Sequence, residues 1–231
     1  MAHEFQTIAA AIIANDLEKV KESIHKGVNV NIENDGWTPL LIAAHKGHVE
    51  ITKYLIKKNA NINAKNNGTS PIYIACQNGH LAILKILLKN KAQINITNHG
   101  ATPLIIASQE GHEEIVKELL KYKPKLNHMD KGDSALHYAC MNDQLNIVKL
   151  LLEKGAKINS QDKGDTPLML AVDNNYEELI KFLLESGAAI NKQNQGKTAY
   201  DLIKDEKVRE ILTAHLRKTK SKLFTKCFTD K

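Results

Sequence analysis

Apolar and polar positions alternate along this chain in a pattern that repeats. Ile51, Thr52, Leu55 and Ile56 fall at i, i+1, i+4 and i+5, one face of a helix. The same face returns as Ile83, Leu84, Leu87 and Leu88, then as Ile115, Val116, Leu119 and Leu120. It returns again as Ile147, Val148, Leu151 and Leu152, and as Leu179, Ile180, Leu183 and Leu184. A shorter apolar run precedes each of these faces. It is clearest in Gly36-Trp37-Thr38-Pro39-Leu40-Leu41-Ile42-Ala43-Ala44, and its copies open at Gly68, Gly100, Gly132, Gly164 and, decayed, Gly196. Every step from Gly36 to Gly196 is 32 residues, and a fixed period of this size means a stacked array. Each unit predicts two helices. Thr38 caps the first, and Pro39 sits at N1, where its missing N–H costs nothing. Gly47 ends that helix and His48 opens the second. No helix pair can bury its face alone, so the copies must stack on one another.

This reading divides the chain into an N-terminal capping repeat at 1–35 and five full repeats at 36–67, 68–99, 100–131, 132–163 and 164–195. A closing cap follows at 196–216, then a basic tail at 217–231, expected to be flexible or weakly helical. The second helices should end in the left-handed region. Gly27, Gly155 and Gly187 suit that place, whereas Asn59, Lys91 and Lys123 occupy it in the central repeats. Pro124 follows Lys123, Ala135 replaces the proline of the next unit, and Asp143-Gln144 replaces Gly-His. The centre of the array is therefore its least ideal part.

The carrying motifs are Thr-Pro-Leu near the start of a unit, Gly-His in its middle (Gly47-His48, Gly79-His80, Gly111-His112), and Ala-x-Ile-Asn at its end (Ala60 to Asn63, Ala92 to Asn95, Ala156 to Asn159, Ala188 to Asn191). In these the chain resembles the ankyrin-repeat family over roughly residues 3–216. The resemblance implies an all-α ankyrin-repeat solenoid of stacked helix-turn-helix units with short β-turn finger loops. It also implies a non-enzymatic protein–protein interaction module, which binds a partner protein or peptide along its concave face and finger tips. The residues so placed are Trp37, Leu41, His45, Lys65, Tyr73, Gln77, His99, Ile105 and Gln109. Further along they are Lys131, Asp133, His137, Met141, Lys163, Asp165, Met169 and Asp173. Trp37, the only Trp, stands at a finger tip, where the other copies carry small or polar residues, and is the expected hot spot. Leu41, Tyr73, Ile105, Met141 and Met169 should extend an apolar stripe from it.

Charge and composition change this picture little. The net charge is +6, but six of the basic residues lie between Arg217 and Lys231 against one acid, Asp230. The array itself is near neutral and a poor phosphate binder, so no nucleic-acid partner is expected. The apolar and basic tail raises contact with an anionic membrane as a further expectation. Cys76 and Cys140 occupy equivalent small-residue positions and Cys227 stands alone, so no disulfide framework is read. Buried free thiols fit a reducing compartment, and a cytoplasmic monomer is the expected state. No phosphate loop, zinc spacing or nucleophile motif is present, so neither cofactor, metal nor catalysis is expected. Lys53, Lys85, Lys117, Lys149 and Lys181 form a ladder that reads as a solvated face with acids beside it. Asn31, Asn63, Asn95, Asn127, Asn159 and Asn191 should bond turn backbone through their side-chain amides. An alternative function stays open: the recognition part of a larger effector or enzyme, such as a bacterial effector acting in a host cytoplasm, whose catalytic region lies outside this chain.

Overall fold

The computed structural model describes residues 2–161 and 164–229, with side chains through Thr219. The chain divides into two compact units, residues 1–130 and 131–231. In the first unit, helices pair as α1 (Ala2–Ile13) with α2 (Leu17–His25), α3 (Pro39–Lys46) with α4 (Val49–Lys57), α5 (Pro71–Gln77) with α6 (Leu81–Lys89), and α7 (Pro103–Gln109) with α8 (Glu113–Leu120). The first helices α1, α3, α5 and α7 stack on each other in order, as do the second helices α2, α4, α6 and α8. Two short extended stretches, β1 (Met129–Asp130) and β2 (Asp133–Ser134), flank the division between the units. The second unit pairs α9 (Ala135–Met141) with α10 (Leu145–Glu153) and α11 (Pro167–Asp173) with α12 (Glu177–Glu185). A 3-10 turn at Ala199–Leu202 and a last helix, α13 (Glu206–Thr229), close it.

Helix starts follow the sequence. The hydroxyls of Thr38, Ser70, Thr102 and Thr166 accept from the N–H of Leu41, Tyr73, Ile105 and Met169 at 3.2–3.4 Å. Proline stands at N1 behind each of them. The helix ends follow as well. Asn59, Lys91 and Lys123 are left-handed like Gly27, Gly155 and Gly187. After Asn59, Lys91, Gly155 and Gly187, the N–H of the following alanine (Ala60, Ala92, Ala156, Ala188) donates back to Leu55, Leu87, Leu151 or Leu183 at 2.9–3.0 Å. Pro124 has no N–H to give, so α8 ends without that bond.

The periodic faces are the core. Ile51, Leu55, Ile83, Leu84, Leu87, Val116 and Leu119 in the first unit, and Ile147, Val148, Leu151, Leu179, Ile180 and Leu183 in the second, are all but inaccessible to water. This thin core needs few aromatics, because helices only one layer apart meet through Leu, Ile and Ala. At the end of the chain, the segment expected to be flexible continues as helix α13 through Thr229. No Gly or Pro follows Gly196, so nothing in the backbone stops the helix.

Candidate protein-binding surface

The fingers are two-residue hairpins. In Asn34-Asp35-Gly36-Trp37, Asp35 and Gly36 take φ of 49° and 76°, and Asn34 and Trp37 exchange both backbone bonds at 2.9 and 3.1 Å. Two successive positive φ values define a type I′ turn, which fits the twist of the flanking strands. The same turn recurs at Asn67-Gly68, His99-Gly100 and Gln195-Gly196. The fingers also stack. A Cβ on Gly36 would lie 2.6 Å from Asn66 Oδ1, and one on Gly68 would lie 2.9 Å from Asn98 Oδ1. Any Cβ there would have to displace these asparagine side chains and would also sit at positive φ, which favours glycine.

At the end of four repeats the asparagine binds forward into the next one. Asn31, Asn63, Asn95 and Asn159 accept, through Oδ1, the backbone N–H of Asn61, Gln93, Lys125 and Ala189 at 2.6–2.9 Å. The residue opening the second helix does the reverse. His80 Nε2 donates to the His45 carbonyl at 3.1 Å and His112 Nε2 to the Gln77 carbonyl at 3.0 Å. Tyr176 holds that place in the second unit, and its hydroxyl donates to the Met141 carbonyl at 3.1 Å. These side chains carry the stacking and are not available to a partner.

The predicted partner residues separate into two groups. His45, Lys65, Gln77, His99, Gln109 and Lys131 are exposed. Lys65, Gln77, His99 and Gln109 make no side-chain bond among the described residues. Trp37 is half-buried and packs against the core of the first unit. Its ring stands edge-on to His45, with centroids 5.8 Å apart at 87°, so part of its area is already used by the fold. Met141, Asp133, Asp165 and Asp173 are also half-buried. Asp165 accepts from Asn194 Nδ2 at 2.9 Å, and Asp173 pairs with Lys204 at 2.7 Å. Lys163 lies outside the described residues.

The apolar stripe expected from Leu41, Tyr73, Ile105 and Met169 does not reach the surface, and neither does His137. All five are buried. Each is the third residue of a first helix, and that position is buried rather than turned to solvent. The sequence signal misread here was the mixed chemistry of the position, which reflects different ways of filling one buried site. Met169 Sδ accepts from Thr166 N at 3.4 Å. Burial pushes the Tyr73 hydroxyl pKa up. His137 is held on both ring nitrogens: Nδ1 accepts from Ser134 N at 3.0 Å, with Ser134 Oγ 2.8 Å away, and Nε2 donates to the Ser160 carbonyl at 3.0 Å. The ring is therefore neutral with its proton on Nε2, and burial lowers its pKa although Asp133 opposes the shift.

Other candidate chemistry is absorbed by the fold. Cys76 and Cys140 are buried, and desolvation pushes both thiols far above the range of a nucleophile. In the lysine ladder, Lys53 pairs with Glu50 at 2.7 Å and Lys117 with Glu113 and Glu114 at 2.6 and 2.8 Å. Lys149 lies over the Phe182 ring at 5.6 Å. Sequence reasoning missed an open groove of about 620 Å³ on the outer side of α1 and α2, floored by Thr7, Ala10, Ala11 and Ala14. Its only sequence signal is the run of small residues on α1.

A fold of stacked helix pairs joined by type I′ fingers defines a class of repeat proteins. The family model for ankyrin repeats (3 copies) matches residues 7–98, 96–162 and 131–194. The crystal structure of the human ASB11 ankyrin repeat domain is similar, with a TM-score of 0.81 and 31% identity over 89% of this chain and 96% of that one. A search among curated proteins returns no match. The chain belongs to the ankyrin-repeat family, whose members are generally protein–protein interaction modules and typically not catalytic.

Proposed function

We propose that this chain is a non-enzymatic adaptor that grips a partner protein or peptide with its finger tips and the exposed ends of its first helices. In the first unit the contacts are Trp37, His45, Lys65, Gln77, His99 and Gln109. In the second they are Lys131, Asp133, Met141, Asp165 and Asp173. The adaptor works as a monomer in the cytoplasm and takes no nucleic acid. The observation that supports this reading is the split between repeated and varied positions. Residues that build the fold recur from copy to copy: the hydroxyl caps, the turn glycines and the forward-binding asparagines. The exposed tips change from Asp35 to Asn67 to His99, and the helix ends change from His45 to Gln77. Lys65, Gln77, His99 and Gln109, exposed and without a side-chain bond among the described residues, can be satisfied by a partner at little cost to the fold.

The test is affinity capture from cell lysate with three baits: the native chain, a finger variant (Lys65→Glu with His99→Glu), and a second-helix variant (Lys53→Glu with Lys85→Glu). A partner held by the native chain and the second-helix variant, but lost by the finger variant, is the expected result. Equal capture by all three would remove the fingers from the account.

A further inference from the structure

Charge is not spread evenly over the first unit. No aspartate or glutamate lies between Glu50 and Glu110, although that stretch holds α5, α6 and nearly all of α4. The lysines gather where the second helices end. Lys57 and Lys58 close α4, Lys89 and Lys91 stand at the end of α6, and α8 runs out into Lys121-Tyr122-Lys123-Pro124-Lys125. These ends repeat every 32 residues, and α4, α6 and α8 stack in order, so they form three successive rungs of one rim. Every lysine on it is exposed. Lys57, Lys89, Lys91, Lys123 and Lys125 have no ion pair or side-chain bond among the described residues. The acids of α4 and α8 are already paired: Glu50 with Lys53, Glu113 and Glu114 with Lys117, and Glu118 with Lys121, at 2.6–2.8 Å. Two of the rim lysines also hold a costly backbone, since Lys91 and Lys123 are left-handed at φ of 66° and 50°. Where glycine takes that place, the lysine beside it is neutralised: Lys26 before Gly27 pairs with Glu22, and Lys154 before Gly155 with Glu153 at 3.6 Å. The chain thus accepts strain at the rungs whose charge nothing in the fold uses, which points to a use outside the fold.

We propose that this rim binds an extended acidic peptide segment of a partner protein, its carboxylates on the lysine rungs. Helix layers lie about 10 Å apart, and an extended chain rises ~3.3 Å per residue, so an acid at every third position meets successive rungs. The side chains between the lysines decide which polyanion fits. Asn59 and Gln93 are exposed, at the left-handed place of the first rung and two residues beyond it on the second. Neither makes a side-chain bond among the described residues. Each amide carries an acceptor as well as donors. A phosphodiester strand or a layer of lipid headgroups offers chiefly acceptors and leaves the amide oxygens unmatched. A peptide backbone offers an N–H for the oxygen and a carbonyl for the NH2, and its acidic side chains meet the ammonium groups. None of these residues is among the finger contacts proposed above, so this is a second surface whose test does not depend on the first.

The test is fluorescence anisotropy of the full chain with a labelled peptide of about ten residues, Glu at every third position and Ser between, long enough to cross three rungs. The same peptide with Gln in place of Glu is the uncharged comparison. An amide variant (Lys57→Gln, Lys89→Gln) and a glycine variant (Lys91→Gly, Lys123→Gly) are set against a control that removes equal charge from the second unit (Lys181→Gln, Lys192→Gln). Thermal melting reports the fold, and the glycine variant should melt no lower than the native chain, because it relieves strain. Its loss of binding therefore cannot come from unfolding. The native chain and the control should bind the Glu peptide within about twofold of each other and bind it well above the Gln peptide. Each rim variant should bind about fivefold or more weakly. No measurable binding by the native chain, equal binding of the Gln peptide, or full binding by either rim variant would overturn the proposal. Tighter binding to a single-stranded RNA oligomer or to phosphatidylserine vesicles than to the peptide would overturn it in favour of that ligand.

Discussion

In the first unit, the second helices after the opening repeat end on Asn59, Lys91 and Lys123, at φ of 66°, 66° and 50°. In the second unit they end on Gly155 and Gly187, at 92° and 93°. The two units differ again at the third position of the first helices. Leu41, Tyr73 and Ile105 fill it in the first unit, while His137 and Met169 fill it in the second. Both units keep the fold, so the plan fixes a backbone shape and a buried volume rather than a residue type. A left-handed turn is required, but glycine is only its cheapest occupant. A buried side chain is required above the cap, but it can be an aliphatic group with no bonding needs or an imidazole that must be bonded on both sides. Past the opening repeat, the units therefore place left-handed non-glycine residues at different helix ends: after the second helices in the first unit, and after the first helices in the second, where Asp143 and Asn175 stand in place of Gly47, Gly79 and Gly111. The buried imidazole is particular to the second.

The largest consequence falls on His137. His137→Ala leaves the Ser134 N–H and the Ser160 carbonyl without their ring partners and opens a cavity beside them. The expected cost is about 3 kcal/mol. Hydrogen exchange should show the loss concentrated in α9 to α12, with α3 to α6 protected as before. A loss spread evenly over both units would mean that they do not open independently. Ile105→Ala in the first unit should cost a similar amount by cavity formation alone, with no pH dependence attached.

The binding face comes next. Trp37 was expected to be surplus to the fold, but the structure gives it packing against the first unit and an edge contact with His45. Trp37→Ala should therefore weaken partner binding by about 2 kcal/mol and also cost about 1 kcal/mol of stability. Lys65→Ala and His99→Ala touch nothing internal and should leave the melting temperature within about 2 °C. An unchanged melting temperature in Trp37→Ala would show that its contacts contribute nothing to the fold.

These contrasts also show what the sequence could and could not carry. The period, the caps and the helix faces were legible because each depends on local spacing. The left-handed Lys91 and Lys123 were legible because they align with Gly27 and Gly155. The asparagine bonds to turn backbone were legible in kind, and the structure adds that the turn is the next repeat's. Burial of Leu41, Ile105 and Met169 was not legible. A varied position reads as surface, and only its burial in the structure shows that variation there is a packing choice. The ion pair of Asp173 with Lys204 and the bond from Asn194 to Asp165 were equally hidden, since each joins residues about one repeat apart.

Acid should separate the units. His137 has a lowered pKa in the folded chain, chiefly because burial disfavours the imidazolium. Above the ordinary histidine pKa of about 6.5 the ring is neutral in both states and the stability is complete. Below it the unfolded chain takes up a proton that the folded site resists, because Nδ1 already accepts from Ser134 N. Stability then falls with pH until the folded ring itself titrates, by at most about 1.4 kcal/mol per pH unit from this group. Exchange measured at pH 7 and pH 5 should show α9 and α11 losing protection before α3 and α5. His137→Leu should abolish that difference, and its persistence would assign the acid response to another group.

The smallest effect tests the strain itself. Lys123 sits at φ of 50° and is followed by Pro124, which lacks the N–H that closes the equivalent turns at Ala60, Ala92, Ala156 and Ala188. A non-glycine residue in the left-handed region costs about 1–2 kcal/mol. Glycine there removes that cost but gives back about 0.5–1 kcal/mol through the freedom it adds to the unfolded chain. Lys123→Gly should thus stabilise the first unit by about 0.5 kcal/mol, and Lys91→Gly by a similar amount. The same logic run backwards predicts that Gly155→Lys destabilises the second unit by a comparable step, since a Cβ there meets no atom within 4 Å and only the backbone conformation resists it. Chemical denaturation of the three variants checks the set. If Lys123→Gly proved neutral while Gly155→Lys was costly, the turn after α8 would be held in its left-handed form by something other than the demands of the repeat, and Pro124, which restricts the residue before it, would be the first candidate.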